Sequence, residues 1–406
     1  MGEGDARDAP APSGGDGDDR PPPLCRSRLP VRGRPPDGRA GEGPGRTRDL
    51  LCSLSRAGDR DVLRRFPRRI GLSFGPLLSA HLRSGVARRD RAAARRPCRE
   101  GGRPVTGLVP PAGLRLRAGE AARALAGLFR PAQEARRLEL ELEKIFPGRR
   151  VLLCLSGRAA LYRLFRLCRE RRKDRDEVVI GAYTCWSVAA AAVRAGFRLR
   201  LVDLDPETFD FDPAALSAVR WERVAAVVTH HLFGLPNERR RAARAAEAGG
   251  AWLIDDAAQA LGASEGGVVA GGAGEAGVLS FGRGKSLPAL GGGALLLAKG
   301  GPLDGGDPDG PTRIPGGVVS ALRAAGHGAV YGTPLYGPAA GLSFLHVGET
   351  VYDEKFAVGA IDGYTAALAR RLLLRSEEMA GGRREAAVSY RSLLAGAKGI
   401  AIPILR

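Results

Sequence analysis

From Trp252 to Ala298 the chain reads WLIDDAAQALGA, then a Gly-rich passage, then VLSFGRGKSLPALGGGALLLA. The pattern predicts a buried strand ending in two acids, Asp255 and Asp256, and a further strand ending at Ser280-Phe281. Lys285 follows on a loop bounded by Gly282 and Gly284. It is almost the only lysine in the middle of a chain whose positive charge is otherwise carried by arginine. An amine can lose its proton where a guanidinium does not, which suits lysine to Schiff-base chemistry with carbonyl compounds. Asp256, closing the preceding strand, suits the ring nitrogen of pyridoxal 5'-phosphate (PLP), whose usual partner is a carboxylate.

Upstream, AGEAARALAGLFRPAQEARRLELELEKIF has helical spacing interrupted at Pro131 and ends before Pro147-Gly148. Val151 to Leu155 is a short apolar strand, and Ser156-Gly157 makes the turn after it. Leu161, Leu164, Phe165 and Cys168 then recur on one face of a helix. A strand, a Ser-Gly turn and a helix start present free N–H groups at the positive end of a helix dipole, where a phosphate can bind. Further strands are predicted at Glu177 to Ile180, in FRLRLVDLD, in VAAVVTHHLFG and in GGALLLA. Amphipathic helices alternate with them, which predicts a three-layer α/β/α fold around a mostly parallel sheet. Ligands in such sheets sit at the carboxyl ends of strands, where Ser156, Asp256 and Ser280 all fall. His230 and His231 are adjacent on a strand and face opposite sides, so His231 is expected near the site and His230 to be structural.

The chain has 406 residues, a net charge of +19 and 5% aromatics. Roughly half of the excess charge lies in the first quarter, as arginine scattered among Gly, Pro and Asp without a basic stripe or interleaved aromatics. That distribution argues against a nucleic-acid site. Residues 1–110 are expected to be a disordered Arg/Pro/Gly-rich arm, because they hold too little apolar surface to offset chain entropy. The six cysteines show no metal-ligand spacing, so no metal is expected. The opening MGEGDARDAP lacks the apolar core of a signal peptide and no apolar run nears the roughly 18 residues of a membrane span, so a cytoplasmic protein without a leader is expected. From Gly300 to Gly317 a Gly/Pro/Asp loop is predicted, then mixed short helices, then one long helix from Tyr364 to Ala395.

Five ordered blocks carry a resemblance: LSGRAAL, IGAYTCWSVAAAAVRAG, VDLDPETFDFDPAAL, HHLFGLPN with IDDAAQALGA, and SFGRGKSL with GGGALLL. In this order they resemble the DegT/DnrJ/EryC1/StrS family of PLP-dependent aminotransferases, which have the type I aspartate-aminotransferase fold. The resemblance implies that Lys285 forms the internal aldimine and later shuttles the substrate proton, while Asp256 keeps the pyridine nitrogen protonated. It implies Gln259, one helical turn on, at the ring hydroxyl. It also implies a phosphate site of Ser280, the Gly157 and Arg158 amides and the Ser156 hydroxyl. The stacking aromatic falls in the AYTCW block, where the usual position aligns with Cys185; Trp186 is assigned, with Tyr183 as fallback. Arg283 is expected to be solvated, and Asp255 to cap the next helix or serve the structure.

The implied domains are the arm (1–110), a PLP-binding major domain (111–318), and linker helices opening a small domain (319–406) that family members usually carry further. Ala357, in EKFAVGA, stands where sugar-modifying members usually have an asparagine for the neighbouring subunit's phosphate. The implied function is transfer of an amino group, from glutamate by expectation, to a keto-sugar or related substrate within a homodimer. The rival readings are a non-catalytic PLP-binding relative and a PLP lyase or dehydratase. Lys285 stands against the last, since family dehydratases carry histidine there.

Overall fold

A computed structural model of the chain describes residues 116–307, 315–331, 333–341 and 352–397. The expected N-terminal arm lies outside the described residues. In chain order the helices are α1 (Ala118–Ala124), α2 (Ala126–Phe129), α3 (Pro131–Ile145), α4 (Gly157–Arg171), α5 (Trp186–Arg194), α6 (Pro213–Ser217) and α7 (Arg239–Ala248). After them come α8 (Val318–Val330), α9 (Tyr336–Gly341), α10 (Gly363–Leu373) and α11 (Ser376–Leu394). The strands are β1 (Arg149–Cys154), β2 (Glu177–Gly181), β3 (Arg198–Val202), β4 (Val224–His230), β5 (Trp252–Asp256), β6 (Ser264–Glu265), β7 (Val268–Val269), β8 (Ala276–Ser280) and β9 (Gly293–Ala298).

Seven strands form one sheet in the order β1-β9-β8-β5-β4-β2-β3, and β6 and β7 form a separate hairpin. The run β3-β2-β4-β5-β8 is parallel, whereas β9 pairs antiparallel with both β8 and β1. Strand β1 therefore points the same way as β8, and its carboxyl end lies on the same edge as those of β5 and β8. This is the predicted three-layer architecture. On one face, α4 and α5 bury Leu161, Leu164, Phe165 and Val188 against Ile180, Ile254, Val278 and Leu295. On the other face, α3 and α10 cover the β1-β9-β8 side, burying Leu138, Leu142, Leu368 and Leu372 with Val151 and Leu296. Beside them, α6 and α7 place Leu216 and Ala242 against Val227 and Leu253. Completely burying a single such side chain stabilises by about 1.5–3 kcal/mol.

Local chemistry sets the helix boundaries. Pro131 opens α3 at a position where the missing N–H costs nothing. The Ser156 hydroxyl caps α4 by accepting from the Ala159 N–H at 3.1 Å. Asp212 caps α6 in the same way at 2.7 Å, and Asp362 caps α10 through Thr365 at 2.8 Å. The long C-terminal helix predicted from Tyr364 is interrupted instead at Leu374-Arg375, between α10 and α11. There Arg375 leaves helical geometry (φ −111°, ψ 10°), while its side chain binds Glu120 before α1's end and Glu378 in α11. The turn-rich passage from Gly300 agrees with the predicted loop as far as Asp307, and residues 308–314 lie outside the described set. Among the mixed elements expected next, α8 runs for 13 residues and α9 for six, and the stretch 342–351 is likewise outside.

Candidate active site

The strict alternation of side chains along a strand decides which acid faces which layer. On β5, Leu253 packs with the α6/α7 core and Ile254 with the α4/α5 core. Asp255 accordingly turns toward α7, and Asp256 toward α4. On β8, Val278 packs on the α4 side and Leu279 on the opposite side, so Ser280 shares its face with Asp256. The start of α4 meets Ser280 closely: a Cβ added to Gly157 would lie 2.8 Å from the Ser280 Cβ. Ser156 bridges to Gly292 next to β9, which completes the edge. A helix N-terminus, two serines and a glycine with no room for a side chain thus converge at one point. The first turn of a helix offers N–H groups without intrahelical acceptors, so the cradle fits an anion.

Asp256 is 8% exposed and accepts from the Ala258 N–H at 3.0 Å. Burial pushes its carboxyl above the usual range; the Ala258 N–H and the charge of Lys285 pull it back only in part. A buried carboxylate of this kind lacks a full cationic partner, and a protonated ring nitrogen would supply one. Gln259 lies in a turn rather than on the helix expected after Asp256, and neither Asp255 nor Asp256 caps a helix. The Gln259 Oε1 accepts from the Phe233 N–H at 2.7 Å, which leaves its amide N–H groups to face a ligand acceptor. Its backbone carbonyl accepts from the Ser286 hydroxyl at 2.8 Å, tying this turn to the lysine loop. Lys285 is half-buried, its N–H bonded to the Gly282 carbonyl at 3.1 Å.

Asp255 is the centre of a network that the sequence reading left open between capping and structure. Its carboxylate accepts from His231 Nε2 (2.7 Å), Arg239 Nη1 (3.0 Å), and the N–H groups of Gly271 (2.8 Å) and Ala273 (3.1 Å). Burial alone would raise its pKa, but the His231 hydrogen bond and the Arg239 guanidinium hold it below the ordinary carboxylate range. The Asn237 N–H donates to His231 Nδ1 at 2.9 Å, which places the imidazole proton on Nε2 toward Asp255. Arg239 also donates to the carbonyls of Glu265, Val268 and Val269, locking the β6-β7 hairpin to α7. His231 therefore lies with Asp255 on the face opposite Asp256, rather than in the site where it was expected. His230 is buried beside Gly181 and Phe211, in register with Asp256.

The remaining assigned residues lie around the start of α4. The Arg158 Nε donates to Ser187 Oγ at 3.1 Å, and its guanidinium lies 5.3 Å from the centre of the Phe356 ring. Arg194 lies 4.5 Å over the same ring, and the Leu155 N–H binds the Gly359 carbonyl at 2.8 Å. The segment carrying Ala357 therefore passes beside the α4 N-terminus. Trp186 is exposed and meets Tyr352 edge-on at 6.2 Å; Tyr183 is exposed near Phe233; Cys185 immediately precedes α5 without a side-chain cap bond. Asp256 and Ser280 share a face beside the Gly157 cradle, Gln259 joins the lysine loop through Ser286, and Trp186 meets Tyr352 instead. Arg283 is exposed, as expected. No metal-binding group of three His, Cys, Asp or Glu residues occurs among the described residues, and no described helix is long and apolar enough to cross a membrane.

Residues 120–302 match the DegT/DnrJ/EryC1/StrS aminotransferase family. Over 122 residues the chain is 37% identical to a pleiotropic regulatory protein of Geobacillus stearothermophilus, a match covering 30% of this chain and 33% of that protein. Over 164 residues it is 29% identical to a UDP-N-acetyl-3-dehydro-alpha-D-glucosamine 3-aminotransferase of Acidithiobacillus ferrooxidans, covering 40% and 44%. The chain thus matches less than half the length of either relative. An E. coli GDP-4-keto-6-deoxy-D-mannose-3-dehydratase solved with hydrated PLP shares the fold, with a TM-score of 0.55, 16% identity and coverage of 73% and 75%. Over residues 120–302 the chain is thus similar to the DegT/DnrJ/EryC1/StrS aminotransferase family, and its fold is similar to that of the solved E. coli dehydratase.

Proposed function

We propose that the chain is a PLP-dependent aminotransferase that moves an amino group from an amino acid, glutamate by preference, to a keto-sugar or related keto substrate. The observation that carries this reading is the buried Asp256 carboxyl, raised by burial and answered by Lys285, on the same face as the Ser280–Gly157 cradle. Those residues fit the cofactor. Ser280, the Ser156 hydroxyl and the first amides of α4, at Gly157 and Arg158, would hold its phosphate; Asp256 its ring nitrogen; and the Gln259 amide its ring hydroxyl. Trp186 would cover the ring face. When bound, PLP supplies an electron sink that lets the carbon bearing the amino group lose a proton.

The protein's own part is positioning and proton transfer. Asp256 would hold a proton on the ring nitrogen, because such an ion pair would relieve the cost of its burial. Lys285 would supply the amine that attaches the cofactor and, once freed, would be the base that takes up the proton from the carbon bearing the amino group and gives it back on the far side of the nitrogen. The amino acid leaves as a keto acid, and its nitrogen ends on the acceptor's former carbonyl carbon. The Asp255–His231–Arg239 network holds the end of β5 fixed so that Asp256 stays aimed. The assembly we propose is a homodimer; its support is the apolar face of α8, where Val318, Val319 and Leu322 are each more than 60% exposed. The domain reading of a major domain followed by helices opening a small domain forms part of the same proposal.

The test is release of 2-oxoglutarate from glutamate by the PLP-loaded chain, with keto-sugars as acceptors. The reading expects turnover that Lys285→Ala and Asp256→Asn abolish. Failure with every amino donor and acceptor, in a folded chain that holds PLP, would leave a non-catalytic relative as the account.

A further inference from the structure

The loop that carries Lys285 is flanked by glycines. Gly282 and Gly284 precede the lysine, and Gly284 has a positive φ of 80°. Such backbone has many alternatives, and an amine on it samples many positions. One side chain outside the site binds the loop directly. Arg383, in α11, donates through Nη2 to the Lys285 carbonyl and through Nη1 to the Ser286 carbonyl, each at 3.1 Å. A planar guanidinium fork can hold two successive carbonyls at once; an ammonium holds them only as a point charge. From the other side, the Ser286 hydroxyl binds the Gln259 carbonyl at 2.8 Å. The lysine's peptide unit is therefore gripped between the turn after β5 and the C-terminal helix.

We propose that Arg383 is the positioning residue for Lys285, fixing the lysine backbone so that its amine meets a carbonyl ligand seated over Asp256. The inference rests on the reading of Lys285 as the amine of the site. Arg383 touches neither ligand nor reacting atoms, and it acts only through the two carbonyls. Two hydrogen bonds to a loop slow its opening about ten-fold or more when both are kept. Arg383 is at the surface, so its replacement leaves the core untouched.

The experiment uses the full chain and the variants Arg383→Gln and Arg383→Lys. Backbone hydrogen exchange is measured first without cofactor. In Arg383→Gln, exchange from Gly284 to Leu287 should quicken about ten-fold while the β8 amides stay protected; Arg383→Lys should fall between. PLP is then added, and both the growth of the visible band and the borohydride-fixed label at Lys285 are followed. Labelling should slow about ten-fold in Arg383→Gln and be partly restored in Arg383→Lys. Unchanged exchange in the loop, or faster exchange with labelling as fast as in the wild type, would overturn the inference. A wild type that takes no PLP would instead sink the proposed function, which separates the two failures.

Discussion

At the residue scale, the two adjacent acids do opposite jobs because a strand turns them to opposite faces. Asp255 meets donors that hold its carboxyl below the ordinary range, whereas burial leaves that of Asp256 above it. The folded chain binds a proton at Asp256 more tightly than the unfolded chain, whose carboxyl titrates near 3.9. That contribution is present at low pH and is lost as pH rises through the raised value. Asp256→Asn should therefore raise the urea midpoint of the cofactor-free chain at pH 7 while abolishing PLP retention. A lowered midpoint would show that Asp256 is held by partners as Asp255 is. His230 has the reverse sign: burial, with His231 alongside, pushes its imidazole down to about 4. The unfolded chain takes up that proton near 6.5, so stability falls as pH drops from about 6.5 toward 4, by about 3 kcal/mol in all. His230→Phe should flatten the urea-melt profile over that window, and an unchanged slope would assign the loss to other groups.

At the element scale, glycines decide how closely the parts meet. A Cβ at Gly157 would press on Ser280, so Gly157→Ala should weaken PLP retention at least ten-fold, as read by equilibrium dialysis, and should also lower the melting temperature. A Cβ at Gly277 would land on the Gly271 carbonyl inside the sheet, where no flexible side chain can yield. Gly277→Ala should cost about 3 kcal/mol in urea unfolding. By contrast, Gly381 and Gly382 sit within α11 with open space around them. Replacing both with alanine should stabilise the chain by about 1 kcal/mol or more, because glycine in a helix interior costs roughly that per residue. The elements themselves were legible: periodicity located α4 and every long strand, and the turn residues Ser156-Gly157 marked the cradle. The break at Leu374-Arg375 was not legible, because it is set by Glu120, 255 residues away in the chain. Gln259 was expected on a helix because an acid pair before an Ala-rich run looks like a cap, whereas Asp256 spends that oxygen on a tight turn at Ala258.

At the scale of the whole molecule, the parallel sheet delivers Ser156, Asp256 and Ser280 to one edge, and that convergence follows from strand direction alone. The partners that steady the site come from far away in the chain. Arg239 and Arg383 look like members of ordinary Arg-rich helix faces in a chain with 63 basic residues, and spacing does not distinguish them. The resemblance pointed to Lys285 and its neighbours through five short blocks of sequence; it gave no signal for Arg383. Val318, Val319 and Leu322, exposed together on α8, should disappear from solvent if a second copy covers them. Leu322→Glu should then shift the chain from dimer to monomer in sedimentation, and an unchanged monomer in the wild type would contradict the proposed assembly. The most direct measurement is borohydride reduction of the purified chain mixed with PLP, followed by peptide mapping. The account predicts a visible band that reduction fixes as one stable label on Lys285 and that Lys285→Ala lacks. A folded chain that shows no band, or a label on Lys299 or another lysine, would contradict it.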